Sequence, residues 1–141
     1  STVKVLLTSP RQRTKQLANL LAQRLNLNLL EEERLAEMNF GEWEGNLWDD
    51  VPKSAIDLWT KDFNNHAFGG GESTGQLLDR VWQLMKNAKN RNEDQIWVTH
   101  AGVIKAVQFL INTGEPYIKS AADWPLETTN FGDWIIVDIT T

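Results

Sequence analysis

The chain has 141 residues, with 14 Lys and Arg against 19 Asp and Glu, a formal net charge of −5, no Cys, 2 His and 7 Trp. That length suits one compact domain, and 41% hydrophobic with 23% charged residues excludes a disordered composition. The lack of Cys excludes a disulfide framework, thiolate metal sites and a cysteine nucleophile, and the acidic balance argues against a domain that coats nucleic acid.

Val3–Leu7 (VKVLL) predicts a strand that stops at Thr8-Ser9-Pro10, with Ser9 as helix cap and Pro10 in the first helical turn. Leu17, Leu20, Leu21 and Leu25 then recur at helical spacing and predict the apolar face of that helix. Leu27–Leu30 predicts a second strand, and NFGEWEGNLWDD a loop dense in Gly, aromatics and carboxylates. Pro52–Phe63 predicts a helix with Ile56 and Trp59 inward. Residues 64–72 are turn-like, and Gly69–Gly71 give a flexible approach to the next helix. That helix, about Ser73–Lys89, places Leu77, Val81, Leu84, Met85 and Ala88 on one face. Ile96–Thr99 predicts a buried strand, Val103–Ile111 an apolar helix, and Trp134–Ile139 (WIIVDI) a closing strand.

Strands alternating with helices predict an α/β fold: three layers, a mostly parallel sheet of at least four strands, and helices on both faces. No apolar run approaches the ~20 residues of a membrane helix, and STVKVLLTSP has no signal-peptide layout. The expectation is therefore no membrane partner, no nucleic-acid partner and a cytoplasmic address.

Two strand-to-helix corners carry unusual polar residues. TSPRQRTK puts Arg11, Arg13 and Lys15 at a helix N-terminus, where cations oppose the helix dipole. Either these side chains are a solvated face, or an anion occupies the corner, held by backbone N–H groups and a guanidinium. IWVTHAG places His100 after a buried strand and before Gly102, which permits close backbone approach. A His there either satisfies the turn or donates to a phosphate oxygen. In LAEMNFGEWEG, Glu37 stands among Leu35, Met38 and Phe40. Desolvation there would raise its pKa and make it a proton donor, and a plain surface carboxylate is the alternative. With 2 separated His and no Cys, neither a dedicated metal site nor a cofactor is expected. A nucleotide-binding Rossmann domain is disfavoured, because G-x-G-x-x-G is absent.

SPRQRTKQLA is similar to SPLxRAxQTA, LAEMNFGEWEG to LxExxFGxWEG, GGGES to PGGES and VTHAGVIKA to VTHxGxIRA. In that order and spacing, the four segments resemble the histidine phosphatase (phosphoglycerate mutase-like) superfamily from about Ser9 to Ile139. Within it, FGEWEG, the Trp-containing stretch before GGGES, and WPLETTNFG look most like α-ribazole phosphatase, of cobalamin nucleotide-loop assembly. The resemblance implies a phosphomonoesterase with a small phosphorylated substrate and phosphoryl transfer through a histidine to water. Carried over motif by motif, it implies Arg13 as the phosphate-binding arginine, Glu37 as proton donor and His100 as the second, phosphate-pocket histidine. It also implies backbone N–H groups at Ala101 and Gly102 for the phosphate. Arg11, Trp43 and His66 are candidates for the pocket rim, His66 by its place in the NNHAFGGGE loop. Leu17 stands where the family usually has Thr, Gly69 where it often has Pro, and Lys105 where it often has Arg.

The family's L-x-R-H-G-x-T strand, which supplies the nucleophilic His, has no counterpart in these residues. The expectation is one N-terminally incomplete domain over 1–141, lacking the first strand and inactive alone. The alternative is a non-catalytic phosphate-ligand-binding or assembly protein. An uncovered sheet edge would favour a homo-oligomer. Trp43, Trp48 and Trp59 either line a pocket that stacks on an aromatic leaving group or pack as core and rim.

Overall fold

The computed structural model describes residues 3–126, 132 and 134–139. Three parallel strands, β1 (Val5–Thr8), β2 (Asn28–Glu31) and β3 (Gln95–Val98), form a sheet in the order β2-β1-β3. The helices are α1 (Gln12–Leu25), α2 (Lys53–Lys61), α3 (Thr74–Arg91) and α4 (Ala101–Thr113). None of the described helices is long and apolar enough to cross a membrane.

Side chains alternate across the strands and split the core in two. Leu6 and Val98 face one side and pack with Ala18, while Leu7 joins Val81, Leu84, Met85, Val103 and Val107 on the other. Helices therefore cover both faces of the sheet, as the α/β pattern predicts. The predicted face of α3 (Leu77, Val81, Leu84, Met85, Ala88) is buried throughout. Its start is fixed by a capping box: Gln76 N–H donates to Ser73 Oγ (3.1 Å) and Ser73 N–H to Gln76 Oε1 (2.9 Å).

Four expectations need correction. Helix α1 begins at Gln12 with Arg11 as N-cap, so Ser9 and Pro10 both precede it. The Ser9 hydroxyl is instead engaged across the sheet, as described below. The buried residues of α1 are Thr14, Ala18 and Ala22, while Leu17, Leu20 and Leu25 are exposed. Small side chains let this helix lie close on a narrow sheet; of the predicted leucines, Leu21 packs against this core while Leu17, Leu20 and Leu25 fall outside it.

Among the described residues the sheet has three strands, and 134–139 is not one of them. Both edges of β1 are already paired, by β2 and by β3, and nothing described pairs the outer edge of β3. The resemblance of WPLETTNFG falls partly on residues 127–131, outside the described residues.

The glycine turn is close-packed rather than loose. Gly41 (φ +56°) and Gly69 (φ +66°) adopt left-handed backbone, and a Cβ on either would strike the other's loop, at the Gly69 or the Phe40 carbonyl. The FGEWEG loop and the GGGES turn therefore lie backbone to backbone.

Candidate active site

Parallel strands end together, and ligands of such sheets bind beyond those ends. Register pairs Thr8 with Val98, so Ser9 and His100 leave the sheet side by side. Ser9 N–H donates to Val98 O (2.9 Å), and the Ser9 carbonyl accepts from the Thr8 and Thr14 hydroxyls (3.0 Å each). Ser9 is fully buried, and its Oγ lies 2.8 Å from His100 Nε2. His100 is the N-cap of α4 through its backbone alone, since its ring caps nothing.

Glu37 enters from the loop after β2. Its Oε1 accepts from Met38 N–H (2.9 Å) and its Oε2 from Gly102 N–H (3.2 Å), at the start of α4. The apolar surroundings expected for this carboxylate are thus replaced by backbone donors, because the α4 N-terminus presents N–H groups there. Gly102 N–H, expected to serve phosphate, is engaged by Glu37 instead. Ala101 N–H heads the helix with no partner among the described residues. The short Thr99 Oγ1 to Leu35 O bond (2.6 Å) ties the end of β3 to the Glu37 loop.

A second tie comes from α3. Arg80 Nε and Nη2 grip both oxygens of Glu72 (2.7 and 3.0 Å), while Nη1 donates to Arg34 O (2.7 Å) and Nη2 to Glu37 O (3.3 Å). Glu72 is the acid of GGGES, so this motif serves to hold the backbone that carries Glu37. Sequence reasoning missed Arg80 and Ser9. Glu72 and Arg80 lie two helical turns apart around the Ser73 cap, which is a weak signal. Nothing local joins Ser9 to His100.

Arg13 is in the first turn of α1 and Arg11 is its N-cap; both are exposed, with no ion pair among the described residues. Lys15 pairs with Glu31 (2.7 Å) and is diverted from the corner. Burial holds the His100 imidazole below its ordinary pKa; the Glu37 charge opposes this, and Arg13, Arg11 and Arg80 add to it. The corner thus combines a neutral His, two guanidiniums without an ion pair among the described residues, and two helix N-termini, an arrangement suited to an oxyanion. Among the described residues no three His, Asp or Glu side chains form a cluster that could hold a metal ion.

Trp43 and Trp48 line a cavity of about 220 Å³ with Phe40, Glu44, Asn46 and Phe68. Trp59 is not in its wall: it stacks on Phe68 (4.4 Å) and Phe63 (5.0 Å), and its Nε1–H donates to Thr74 Oγ1 (3.2 Å). His66 follows α2, its N–H bonded to Asp62 O (2.8 Å), and no described hydrogen bond or ion pair links it to Arg13, Glu37 or His100.

The same architecture occurs in solved phosphatases. A mycobacterial glucosyl-3-phosphoglycerate phosphatase, in complex with inorganic phosphate, superposes with a TM-score of 0.67 at 21% identity, over 82% of this chain and 61% of that one. A putative α-ribazole-5'-P phosphatase from Escherichia coli gives 0.67 at 22% identity, over 79% and 58%. The fold and the corner define a phosphoglycerate mutase-like α/β domain. Residues 1–128 match the histidine phosphatase superfamily (branch 1), and the chain belongs to that family. Among curated relatives, phosphoserine phosphatase 1 of Hydrogenobacter thermophilus is 28% identical over 108 residues, 73% of this chain and 51% of the relative. The chain spans about half the length of that relative.

Proposed function

We propose that this chain carries the phosphate pocket and the proton donor of a histidine phosphatase acting on small phosphomonoesters. The observation that carries the reading is the convergence of Arg13, His100 and Glu37 on one corner of the sheet, with His100 held neutral by burial. Arg13, with Arg11 at the rim, neutralises the phosphate oxygens, and His100 and the Ala101 N–H donate to them. Glu37 delivers its proton to the leaving oxygen, positioned by Gly102 and by the Arg80 tie.

Neither histidine of these 141 residues serves as the phosphoryl acceptor. His100 Nε2 is committed to Ser9, and no described hydrogen bond or ion pair links His66 to the corner. The 141 residues by themselves bind phosphate and turn over p-nitrophenyl phosphate negligibly. The aromatic cavity, which begins at Phe40 only three residues after Glu37, supports an aromatic leaving group such as that of α-ribazole 5'-phosphate. A cytoplasmic role in cobalamin assembly would accompany that substrate. The outer edge of β3, which no described residue pairs, would accept a further strand, including one from a second copy.

Thermal shift with inorganic phosphate or vanadate tests the reading, because a ligand at 100 times its Kd stabilises by about 2.7 kcal/mol. The melting temperature rises in the parent chain and not in Arg13→Ala, whose side chain is exposed and makes no ion pair with the described residues. An equal rise in both would remove the Arg13 corner as the anion site. Rapid turnover abolished by His66→Ala would make His66 the acceptor.

A further inference from the structure

Hydrogen accounting at Ser9 sets the protonation of His100. The Ser9 side chain is fully buried and has two described neighbours: Arg11 N–H, which donates weakly to Oγ at 3.5 Å, and His100 Nε2 at 2.8 Å. A hydroxyl has one proton to give. If Nε2–H donated to Oγ, that proton would point into the interior with no other described acceptor, at the cost of an unmade buried hydrogen bond. If the hydroxyl donates to Nε2, the Ser9 proton is used: Oγ accepts from Arg11 N–H and gives its proton to His100 Nε2. With Nε2 accepting, the single proton of the neutral ring sits on Nδ1. Nδ1 has no partner among the described residues.

We infer that Ser9 is a positioning residue that locks His100 in the Nδ1–H tautomer, so that Nδ1 and not Nε2 is the donor offered to a phosphate oxygen. The ligand-facing half of this inference rests on the phosphate-pocket reading above; the tautomer does not. A neutral donor suits the corner, since Arg13, Arg11 and Arg80 already supply positive charge there and Glu37 faces the ring from the opposite loop. A neutral ring with a defined donor adds a directed hydrogen bond without adding a further buried charge. The Ser9 backbone fixes the position of the hydroxyl beside His100, because its N–H and carbonyl are bonded to β3, Thr8 and Thr14.

Side-chain 15N NMR of the 141-residue chain near pH 8 tests this directly. With 2 His in the sequence, assignment needs only His66→Gln. The parent chain should show His100 Nε2 unprotonated and Nδ1 protonated, Ser9→Ala should move population to Nε2–H, and Ser9→Thr should restore the parent pattern. A proton on Nε2 in the parent chain overturns the inference, and so does an unchanged tautomer in a folded Ser9→Ala. If Ser9→Ala does not fold, the parent spectrum decides alone.

Inorganic phosphate should then perturb Nδ1 and leave Nε2 unprotonated, and Ser9→Ala should bind it roughly two- to tenfold more weakly, the worth of one neutral hydrogen bond. Phosphate that stabilises the chain without touching Nδ1 overturns the ligand-facing half. Absence of any phosphate binding, with the Nδ1–H tautomer present, overturns the phosphate-pocket reading and leaves the Ser9–His100 lock standing.

Discussion

A Cβ at position 102 would fall onto Oε1 of Glu37, so the carboxylate reaches the start of α4 only because Gly102 has no side chain. The same glycine donates its N–H to Glu37 Oε2 (3.2 Å). Gly102→Ala therefore separates two effects. Alanine in a helix gains up to about 1 kcal/mol over glycine, and the displaced atom is the end of a movable side chain. Net stability in urea unfolding should stay within about 1 kcal/mol of the parent. The residue-102 amide proton should nonetheless move upfield, as it should in Glu37→Ala, because its carboxylate acceptor is gone. A loss of several kcal/mol would show that Glu37 cannot yield.

Arg80 should matter to stability more than any surface cation. Its pair with Glu72 leaves only 20% and 15% of the two side chains exposed, and it also holds the carbonyls of Arg34 and Glu37. Arg80→Met strands the Glu72 carboxylate and should cost about 3 kcal/mol in chemical denaturation. Arg80→Lys should recover only part, since an ammonium cannot reproduce the bidentate grip. By contrast, Lys53→Met at the exposed pair with Asp57 should cost less than about 0.5 kcal/mol.

His100 gives the chain a defined pH dependence. Burial, reinforced by Arg13, Arg11 and Arg80 and opposed by Glu37, lowers its folded pKa below the ordinary imidazole value of about 6.5. The unfolded chain then binds more protons between the two values, so stability rises with pH in that window. The contribution is fully present above about 6.5 and is lost as pH falls through the folded value. Melting temperatures from pH 8 down to pH 5 should fall less steeply in His100→Asn than in the parent. The difference between the two curves removes the shared titration of His66 and the carboxylates. Parallel curves would contradict the burial effect.

Trp48 is 57% exposed, yet it stacks 5.9 Å from Phe68 and meets Phe40 edge-on at 5.4 Å. An exposed ring in a cavity wall contributes more to a ligand than to the core. Trp48→Ala should leave inorganic phosphate binding unchanged and weaken α-ribazole 5'-phosphate roughly two- to tenfold, the range of one aromatic contact. Competition titrations against vanadate measure both. Equal weakening of both ligands would place Trp48 against the phosphate instead. Tighter retention of phosphoserine than of the ribazole ester would favour a small polar leaving group.

The elements were legible wherever one periodicity governed one face. Leu77, Val81, Leu84, Met85 and Ala88 mark the buried side of α3, and β3 and α4 follow from IWVT and the apolar run after Gly102. Helix α1 misled, because its leucines outnumber the alanines that touch the sheet: burial depends on how closely the helix lies, which no window of sequence contains. WIIVDI reads as a strand by composition, but strands exist only in pairs, and no described neighbour pairs it. Trp59 and Trp48 are indistinguishable by spacing and share one aromatic stack, yet only Trp48 also lines the cavity.

The sequence by itself determined the layered α/β class, the family and the residue types of the corner, because each rests on short-range patterns: strand runs, helix periodicity and ordered motifs. Only the tertiary structure decided what each group is bonded to. It gave Gly102 N–H to Glu37, placed Arg80 under the Glu37 backbone, and set the Ser9 hydroxyl against His100 Nε2. Hydrogen bonds form between groups brought within 3 Å or so of each other; the parallel register of β1 and β3 does this for Ser9 and His100, and the packing of the loop after β2 against α3 and α4 does it for Glu37.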